Sequence, residues 1–594
     1  MDGTAAGMRS EERRSLTALS FVLVVATSVW AWRSAASGVG QGASPGGRTE
    51  SAGLPGRPVA AVKRSLLAAA GLVVLALAGV AVFMRAQWAV TGNLWGVPVD
   101  DAYIHFRFVQ NLATGHSFAF NPDRPEPGST SPLWVLLLAL PTFCGVPVWL
   151  AAKACGTLFL VVSAVLAWRL STRYIAGPVA AWTVGALTAL DGRLLWAAPS
   201  GMEVTLFAAL SLAAFLARPA QRAGGPAVRR RLLLVAVLCG LATLARPEGY
   251  LLAAILFVDL YARFRPPLVA AVLPALALDL LLVAPYNVFA LLTTGHPLPT
   301  TFYAKSVPLG ADTLPRALAY LVVLVYLLVG GNFITVLAPL GAVMLWRSRP
   351  GGSGSAGFQP AQAGSVRGRD DGVRAVVAWP LLLIVEQALL SPVLYHFGRY
   401  VMPLQPFILL WAVAGIARLT RVSVAGEAWR AALPPLALVL VTALALGGWA
   451  QRYALSVRDI DGMQVALGHW VRAHVPAGVP VAAHDIGAIG YISGHPVVDI
   501  EGLVTPRFLL LKREQPQARR AADTLAEARR LGARYLIVFP RAYQSLVAQP
   551  GLRRVYSVTV PYPIIVQEPT MTVYEIVDGR WSMVDGRWSM VDGR

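Results

Sequence analysis

Long apolar runs recur along the first 450 residues of this 594-residue chain, and short polar segments separate them. A run of about 20 apolar residues forms a helix long enough to cross the hydrocarbon core of a bilayer. The pattern therefore predicts a polytopic α-helical membrane protein. Eleven core spans are expected, at approximately residues 65–90, 147–168, 176–190, 203–217, 231–245, 250–263, 267–291, 332–346, 375–391, 400–418 and 431–449.

Two further apolar segments, 132–146 and 316–330, are only 15 residues long, which is short for a span. We interpret both as helices that lie on the membrane surface. This interpretation places every arginine-rich loop on the cytoplasmic side. The first core span then crosses outward, and the loop that follows it lies on the exoplasmic face.

The N-terminal region, residues 1–62, departs from this pattern. It contains an apolar run at 16–32, followed by a stretch rich in Gly, Ser and Pro. The run is compatible with a signal anchor, an additional span or an upstream extension, whereas a cleaved signal peptide is disfavoured because no small-x-small site follows directly. The transmembrane domain is expected to cover residues 63–449 and to include a flexible cytoplasmic linker at 350–374.

Beyond Trp449 the pattern of apolar and polar residues becomes mixed. The segment PVAAHDIGAIGYISGHPVVDIEG predicts a strand, a helix and a strand, AADTLAEARRLGA predicts a helix, and RYLIVF predicts a strand. We therefore predict a small exoplasmic α/β domain at residues 450–577. The tail at 578–594 repeats a seven-residue unit, to which we assign no function.

Composition and charge support a membrane protein. Hydrophobic residues make up 56% of the chain and charged residues only 14%, whereas a soluble domain has about 25% charged residues. The net charge of +20 does not indicate a nucleic-acid partner, because the arginines follow the positive-inside rule in short loops between apolar runs. These arginines include Arg169, Arg173, Arg229, Arg230, Arg231, Arg263, Arg265, Arg347, Arg349, Arg418 and Arg421.

Two minor features of the composition bear on location and redox chemistry. Lysine occurs four times against many arginines, alanines and glycines, which is typical of a high-GC bacterial genome, so we expect a bacterial plasma membrane. The three cysteines lie in apolar stretches, without the spacing of a zinc site or a disulfide framework.

The residues capable of chemistry fall on one side of the predicted topology. Asp100 and Asp101 lie in the first exoplasmic loop, and further charged residues and histidines lie in other exoplasmic loops. A charge at a bilayer boundary costs several kcal/mol unless it is paired, solvated or used. The topology therefore predicts a shared cavity at the membrane surface. Its candidate residues are His105, Arg107, Glu203, Arg246, Glu248, His296, Lys305, His396 and Arg399, together with the aspartate pair.

This set of residues has the chemistry that glycosyl transfer from a lipid phosphate requires. A carboxylate must accept the proton of the attacking hydroxyl group, and cations must hold the phosphate leaving group. The aspartate pair can provide the carboxylate, and Arg107, Arg246, Lys305 and Arg399 are candidate phosphate ligands. Paired aspartates can also hold a divalent cation, so a metal cofactor is possible, although none is certain.

Each candidate also has a structural interpretation, which we keep open. Asp101 could be the N-cap of the amphipathic segment that follows it. Arg246 and Glu248 could form a charged hairpin, and Lys305 could extend to lipid phosphates. The remaining pair, His396 and Arg399, could anchor a span at the interface.

Several motifs resemble one enzyme superfamily. The run DDAYIHFRFVQNLATGHSFAFNPDRPEPGSTSPLW, and with it SGMEVTLF, LARPEGY, LPTTFYAK, HFGRYVMP and DIGAIGYISGHPVVDIEGLV, resemble the GT-C superfamily of polyprenyl-phosphate-sugar-dependent glycosyltransferases. They look most like the branch of the mycobacterial terminal β-(1→2)-arabinofuranosyltransferase AftB. The resemblance extends from residue 65 to about residue 575.

The resemblance implies an inverting transferase that takes a sugar from a polyprenyl-phosphate donor and passes it to a cell-envelope glycan or lipid. It further implies Asp100 as the base and Asp101 as its partner. From their placement in the exoplasmic loops, His105, Glu203, Glu248, His296 and His396 are candidate substrate-binding residues. The AftB branch would add decaprenyl-phosphoryl-arabinofuranose as the donor and arabinan as the acceptor. A transporter or flippase of lipid-linked sugars is the alternative, but it would typically have inverted repeats with ionisable groups near the bilayer midplane.

Overall fold

The computed structural model describes most of the chain beyond the N-terminal region. The described residues are 56–122, 124–175, 177–219, 226–264, 269–347, 372–392, 394–423, 428–514, 517–577, 580–584 and 587–591. The predicted apolar run at 16–32 and most of the predicted linker at 350–374 lie outside this part of the chain.

The described part of the membrane region consists of helices joined by loops. Its helices, in chain order, are Gly56–Thr91, Asp100–Ala113, Pro132–Phe143, Val148–Ser171, Pro178–Leu190, Gly192–Ala197, Val204–Ala217, Pro226–Ala245, Gly249–Phe264, Val269–Thr294, Thr300–Lys305, Thr313–Gly331, Ala338–Trp346, Val373–Leu390, Tyr395–Gly398, Gln405–Ser423, Ala428–Leu444, Leu446–Ile460 and Ala466–His474. The largest fully buried side chains, among them Trp134, Trp196 and Trp379, lie in the core between these helices.

Among the described residues, six helices are long and apolar enough to cross a membrane. They are Val62–Thr91, Val148–Ser171, Val272–Thr294, Val373–Leu390, Tyr395–Leu419 and Leu436–His474. Counting each of two sharply bent helix pairs as one span raises the number to eight. The chain is thus a multi-pass membrane protein, as predicted, whereas the number of eleven spans stays a prediction.

The two bent pairs differ from the arrangement expected from sequence. The predicted spans 176–190 and 203–217 belong to one pair that is bent by 118°. The predicted surface segment 316–330 and the predicted span 332–346 belong to the other, bent by 119°. Apolar periodicity predicts that these segments are helical, but it does not predict the angle between them.

Local chemistry explains the first bend. Asp191 ends one helix and caps the next, because its Oδ1 accepts hydrogen bonds from the backbone N–H groups of Arg193 and Leu194 at 3.1 Å. Gly201 then takes a left-handed conformation with φ of +83°, which a glycine adopts without strain. The indole of Trp134 donates to the Gly201 carbonyl at 2.9 Å. These contacts fix the turn that carries Glu203.

The C-terminal region contains a five-stranded sheet with the strand order β2-β1-β3-β5-β4. β1 is parallel to β2 and β3, and β5 is antiparallel to β3 and β4. The strands are β1 Val481–Ala483, β2 Val497–Asp499, β3 Tyr535–Val538, β4 Leu552–Thr559 and β5 Thr570–Ile576, and the helices are Gly487–Ser493, Pro506–Glu514, Gln517–Arg530 and Gln544–Val547. The predicted small α/β region is thereby confirmed.

Two details at the ends of this region go beyond the prediction. The helical segment Leu436–His474 runs across residue 450, where the sequence pattern placed a domain boundary, so that boundary stays a prediction. In the repetitive tail, β6 (Arg580–Val584) and β7 (Arg587–Val591) pair as an antiparallel hairpin.

Candidate active site

A cavity that is open to solvent, with about 820 Å³ of empty space including its mouth, lies where seven parts of the chain meet. These parts are the first-loop helix Asp100–Ala113, the segment 128–130, the turn before Val204, the turn before Gly249, the region of the short helix Thr300–Lys305, the end of the helix Val373–Leu390 and the segment around Arg399. Seven of the eleven residues singled out from sequence line it: Asp101, His105, Glu203, Arg246, Glu248, Lys305 and Arg399.

At one end of the cavity, Asp101 lies between two cations. Its Oδ2 is 3.2 Å from Nζ of Lys305 and accepts a second hydrogen bond from Nη2 of Arg399. Both cations also donate to the hydroxyl oxygen of Tyr400, each at 3.2 Å. One carboxylate and two cations leave this end, the cationic end, with a net positive charge.

Charge pairing sets the protonation of this cluster. Burial would raise the pKa of Asp101, but Lys305 and Arg399 outweigh it and hold that pKa well below its usual range. Burial would likewise lower the pKa of Lys305, but Asp101 more than compensates, so the pKa is raised. Both groups are therefore charged at neutral pH. Nε and Nη1 of Arg399 are buried and have no hydrogen-bond partner among the described residues.

A second group of charges surrounds Arg246. Its guanidinium donates to Oε1 of Glu203 at 3.0 Å and to the two carboxylate oxygens of Glu248 at 2.7 and 3.3 Å. His105 continues the network, with Nε2 3.5 Å from Glu203 and Nδ1 3.2 Å from the hydroxyl oxygen of Ser129. Two carboxylates thus neutralise Arg246, which leaves it less available to a phosphate than Arg399.

Asp100 points away from the cavity, although it is adjacent to Asp101. Its carboxylate accepts hydrogen bonds from the backbone N–H groups of Gly487 at 2.8 Å and Ala488 at 2.7 Å, at the start of the helix Gly487–Ser493. Burial and the nearby carboxylate of Asp485 raise the pKa of Asp100 well above its usual range, and the two N–H groups oppose this shift. The side chain thus joins the first loop to the C-terminal region.

The interpretation of Asp101 as a helix cap is wrong. The first-loop helix begins at Asp100, its N-cap residue is Val99, and no side chain caps it. The carboxylate of Asp101 is instead bound to Lys305 and Arg399.

Three other residues singled out from sequence lie outside the cavity lining. Arg107 donates to the carbonyl oxygens of Phe120 and Gly494 and to the side chain of Gln110, at 3.2 to 3.3 Å, so its guanidinium already has protein partners. His296 packs its ring against that of Tyr303, with the centroids 4.8 Å apart. His396 has a left-handed backbone, with φ of +54°.

Comparisons with known proteins bear on the fold. ArnT from Cupriavidus metallidurans, in its apo state, superposes with a TM-score of 0.54 over 87% of this chain and 98% of that chain, at 14% identity. The same protein bound to undecaprenyl phosphate gives a TM-score of 0.50, at 13% identity over 84% of this chain and 98% of that chain. This chain shares its fold with ArnT. The expected GT-C type of membrane fold is thereby confirmed, while the AftB branch stays a prediction.

Two sequence matches are more limited. Residues 455–583 match a family described as "Domain of unknown function (DUF8728)". Antigen peptide transporter 1 of Rattus norvegicus is 34% identical over 145 residues, which are 20% of this chain and 20% of that protein. The chain therefore spans about a fifth of the length of this curated relative, a share too small to transfer an activity.

Sequence reasoning missed several groups that line the cavity of this GT-C-type fold. They include Ser129, Thr130, Thr301, Glu386, Gln387 and Tyr400. Glu386 carried a usable signal, because it is the only charged residue in the apolar run 375–391. An ionisable group within a span is by default a candidate functional residue. Tyr400 directly follows Arg399 and lies within the HFGRYVMP motif.

The divalent cation considered from sequence finds no ligand set in the described residues. They contain no group of three or more His, Cys, Asp or Glu side chains that could hold a metal ion. The two adjacent aspartates also have different partners, since Asp100 binds backbone N–H groups and Asp101 binds side-chain cations. We therefore derive no step through a metal.

Proposed function

We propose that this chain is an inverting membrane glycosyltransferase that moves a sugar from a polyprenyl-phosphate donor to a glycan or lipid acceptor. The observation that carries the proposal is the meeting of Asp101, Lys305 and Arg399 in one cavity. Support also comes from the ArnT fold, since ArnT has been solved with undecaprenyl phosphate bound.

In this proposal the phosphate of the donor binds between Lys305 and Arg399. The free N–H groups of Arg399 suit a phosphate oxygen, because guanidinium and phosphate form short charge-assisted hydrogen bonds. As the bond between the anomeric carbon and the phosphate oxygen breaks, the electron pair leaves with the phosphate. The two cations stabilise the charge that develops there.

Asp101 is the proposed base, which reverses the roles expected from the resemblance. Its carboxylate lines the cavity, whereas that of Asp100 is bound to backbone N–H groups. A bound phosphate would draw Lys305 and Arg399 partly away from Asp101, so the pKa of Asp101 would rise and the carboxylate would become a better base. The acceptor hydroxyl attacks the anomeric carbon opposite the phosphate and gives its proton to Asp101.

The proposed sugar, acceptor and cellular location rest on the motif resemblance and on the placement of charges. The AftB-like motifs favour arabinofuranose as the sugar, with decaprenyl-phosphoryl-arabinofuranose as donor and arabinan as acceptor. The composition favours a bacterial plasma membrane, and the positive-inside pattern favours a site on the exoplasmic face. The contact of Asp100 with Gly487 supports placing the C-terminal region on that same face.

Transfer from synthetic polyprenyl-phosphate sugars, measured with the purified protein in detergent or liposomes, tests the proposal. The expected result is a glycosylated acceptor with inverted anomeric configuration, together with free polyprenyl phosphate. Absence of transfer from a panel of such donors would overturn the proposal. If the protein instead moved lipid-linked sugars between the leaflets of vesicles, the transporter alternative would replace it.

A further inference from the structure

A second part of the cavity lining, beside the Asp101 cluster, is rich in hydrogen-bond acceptors. Gln387 lines it with only 3% of its surface exposed. Its Nε2 donates to Oε2 of Glu386 at 3.0 Å and lies 3.4 Å from Oε1 of Glu248. The amide thus connects two carboxylates that line the same wall. We call these three residues, Glu248, Glu386 and Gln387, the acidic end.

In the described parts of the chain, one acceptor at this end lacks a donor, and one carboxylate lacks a cation. Oε1 of Gln387 is buried and has no hydrogen-bond partner there. Asp101, Glu203 and Glu248 form ion pairs, whereas Glu386 forms none with the residues that the structure describes. A buried polar atom without a partner costs about 1–3 kcal/mol, so a site that keeps one is well suited to a ligand that donates to it.

The chemistry of these acceptors selects the class of ligand group. Two carboxylates and an amide oxygen accept hydrogen bonds, and neighbouring hydroxyl groups of a sugar supply donors at a matching spacing. A carboxylate on the ligand would instead be repelled, because a like charge placed against buried carboxylates is unfavourable. The acidic end therefore fits a neutral, hydroxyl-bearing sugar and disfavours a uronic acid.

The acidic end is close to the cationic end, with Tyr400 between them. The ring centroid of Tyr400 lies 5.1 Å from the guanidinium carbon of Arg246, 5.1 Å from that of Arg399 and 5.9 Å from Nζ of Lys305. Since Arg246 is bound to Glu248, the ring of Tyr400 contacts charged residues that belong to both ends. We therefore expect a sugar attached to a phosphate at Lys305 and Arg399 to extend towards the acidic end.

We propose that Glu248, Glu386 and Gln387 form the subsite that binds the hydroxyl groups of the donor sugar and thereby selects it. The proposal rests on the proposed function and extends it from the phosphate to the sugar. Gln387 holds the two carboxylates in position and presents its own oxygen to a hydroxyl group. This arrangement selects by the hydroxyl pattern of the sugar, while the phosphate is held independently at the cationic end.

The test compares donors that differ only in the sugar. The wild-type protein and the variants Glu386→Gln and Gln387→Met are assayed with a polyprenyl-phosphate pentose, its monodeoxy analogues and a polyprenyl-phosphate uronic acid. Glu575→Gln is the matched control, because Glu575 pairs with Arg553 in the C-terminal sheet and does not line the cavity. Binding of polyprenyl phosphate alone is measured in parallel.

We expect the wild-type protein and the control to prefer the hydroxylated donor over at least one deoxy analogue by roughly 10- to 100-fold in kcat/KM. In both variants we expect this preference to fall to a few-fold or less, while the Kd for polyprenyl phosphate stays unchanged. In Glu386→Gln, discrimination against the uronic acid donor should also weaken. Because the preference is a ratio measured on one preparation, a partly unfolded fraction does not alter it.

The possible outcomes distinguish a failure of the sugar subsite from a failure of the proposed glycosyltransferase function. If the wild-type protein transfers sugar but both variants keep its full preference, the subsite is overturned and the proposed function stands. If the wild-type protein neither binds polyprenyl phosphate nor transfers sugar, the proposed function fails and the subsite fails with it.

Discussion

Two neighbouring residues, Asp100 and Asp101, lie in different environments and illustrate how function is divided in this protein. Asp101 lines the cavity, with Lys305 and Arg399 as its partners. Asp100 lies outside the cavity lining and accepts backbone hydrogen bonds from Gly487 and Ala488. Successive residues of a helix do not share a face. Asp101 can therefore line the cavity while Asp100 joins the first loop to the C-terminal region.

The largest effect is expected from Asp101→Asn, which removes the carboxylate from the cavity and leaves the side chain nearly the same size. Loss of a positioned base lowers the rate by about 10²- to 10⁴-fold. We therefore expect kcat for sugar transfer to fall by that amount, with the control Asp312→Asn, in an exposed loop, unchanged. Transfer at wild-type rates by folded Asp101→Asn protein would remove Asp101 from the chemistry.

The matching change, Asp100→Asn, should affect stability more than chemistry. An amide has one acceptor oxygen, so its NH₂ group would face one of the two backbone N–H donors of Gly487 and Ala488. Leaving a buried donor unsatisfied costs about 1–3 kcal/mol, which should lower the melting temperature in detergent. The folded fraction should retain transfer within about tenfold of wild type, since the reacting groups remain in place.

The comparison of these two variants decides whether the base is Asp101, as the structure favours, or Asp100, as the sequence resemblance implies. An Asp100→Asn protein that melts like wild type but is as inactive as Asp101→Asn would restore Asp100 as the base. That result would support the order of roles that the GT-C resemblance implies.

Most of the fold is predictable because it follows from local patterns. Apolar runs predict the helices around Val148–Ser171 and Val373–Leu390, and alternation with turn residues predicts the β1-helix-β2 unit. The bent pair at Gly201 is harder to predict, because the reversal depends on a left-handed glycine and on a hydrogen bond from the distant Trp134. Side-chain pattern alone does not contain this information.

The sequence predicts which residues come together at the site, but it does not predict the direction of each side chain. Topology places Asp101, Lys305 and Arg399 on one side of the membrane region, and the structure brings them into contact. The direction of the Asp100 side chain depends on Gly487, a partner 387 residues away, so no local pattern predicts it. Arg107 is a similar case, since one of its partners is the Gly494 carbonyl.

An effect of similar size is expected from Gly487→Ala, which tests the Asp100 contact from its other side. A Cβ at Gly487 would lie 2.0 Å from the backbone oxygen of Asp100 and 2.8 Å from its Oδ2, so the two segments would have to separate. Overpacking of this kind typically costs about 1–3 kcal/mol, and we expect a lower melting temperature with reduced transfer.

The control for this change is Gly448→Ala, because a Cβ there meets nothing within 4 Å. It should leave transfer unchanged and should not lower the melting temperature, because alanine favours a helix interior over glycine. If Gly487→Ala behaved like this control, the protein would not need the close approach of the first loop to the C-terminal region that the Asp100 side chain joins.

The smallest expected effect is a shift in pH dependence on the cavity side of the comparison. The pKa of Asp101 is held below its usual range largely by Lys305, so the carboxylate stays ionised until the pH falls below that range. The acid limb of kcat/KM reports this pKa in the free enzyme. Replacing the cation in Lys305→Gln should move the limb to higher pH by about one unit or more, because an opposite charge at this distance shifts a pKa by about 1–3 units.

The position of the limb is the informative quantity, since Lys305→Gln should also lower the overall rate by weakening the phosphate site. Lys512→Gln is the control, because Lys512 forms an ion pair with Glu501 outside the cavity lining. Its acid limb should coincide with that of the wild type.

The same sign applies to stability. The depressed pKa of Asp101 stabilises the fold above the usual carboxylate range, and that contribution is lost only as the pH falls through the lowered value. If the limb stayed in place in Lys305→Gln, the group that titrates there would not be Asp101, and the assignment of Asp101 as the base would fail.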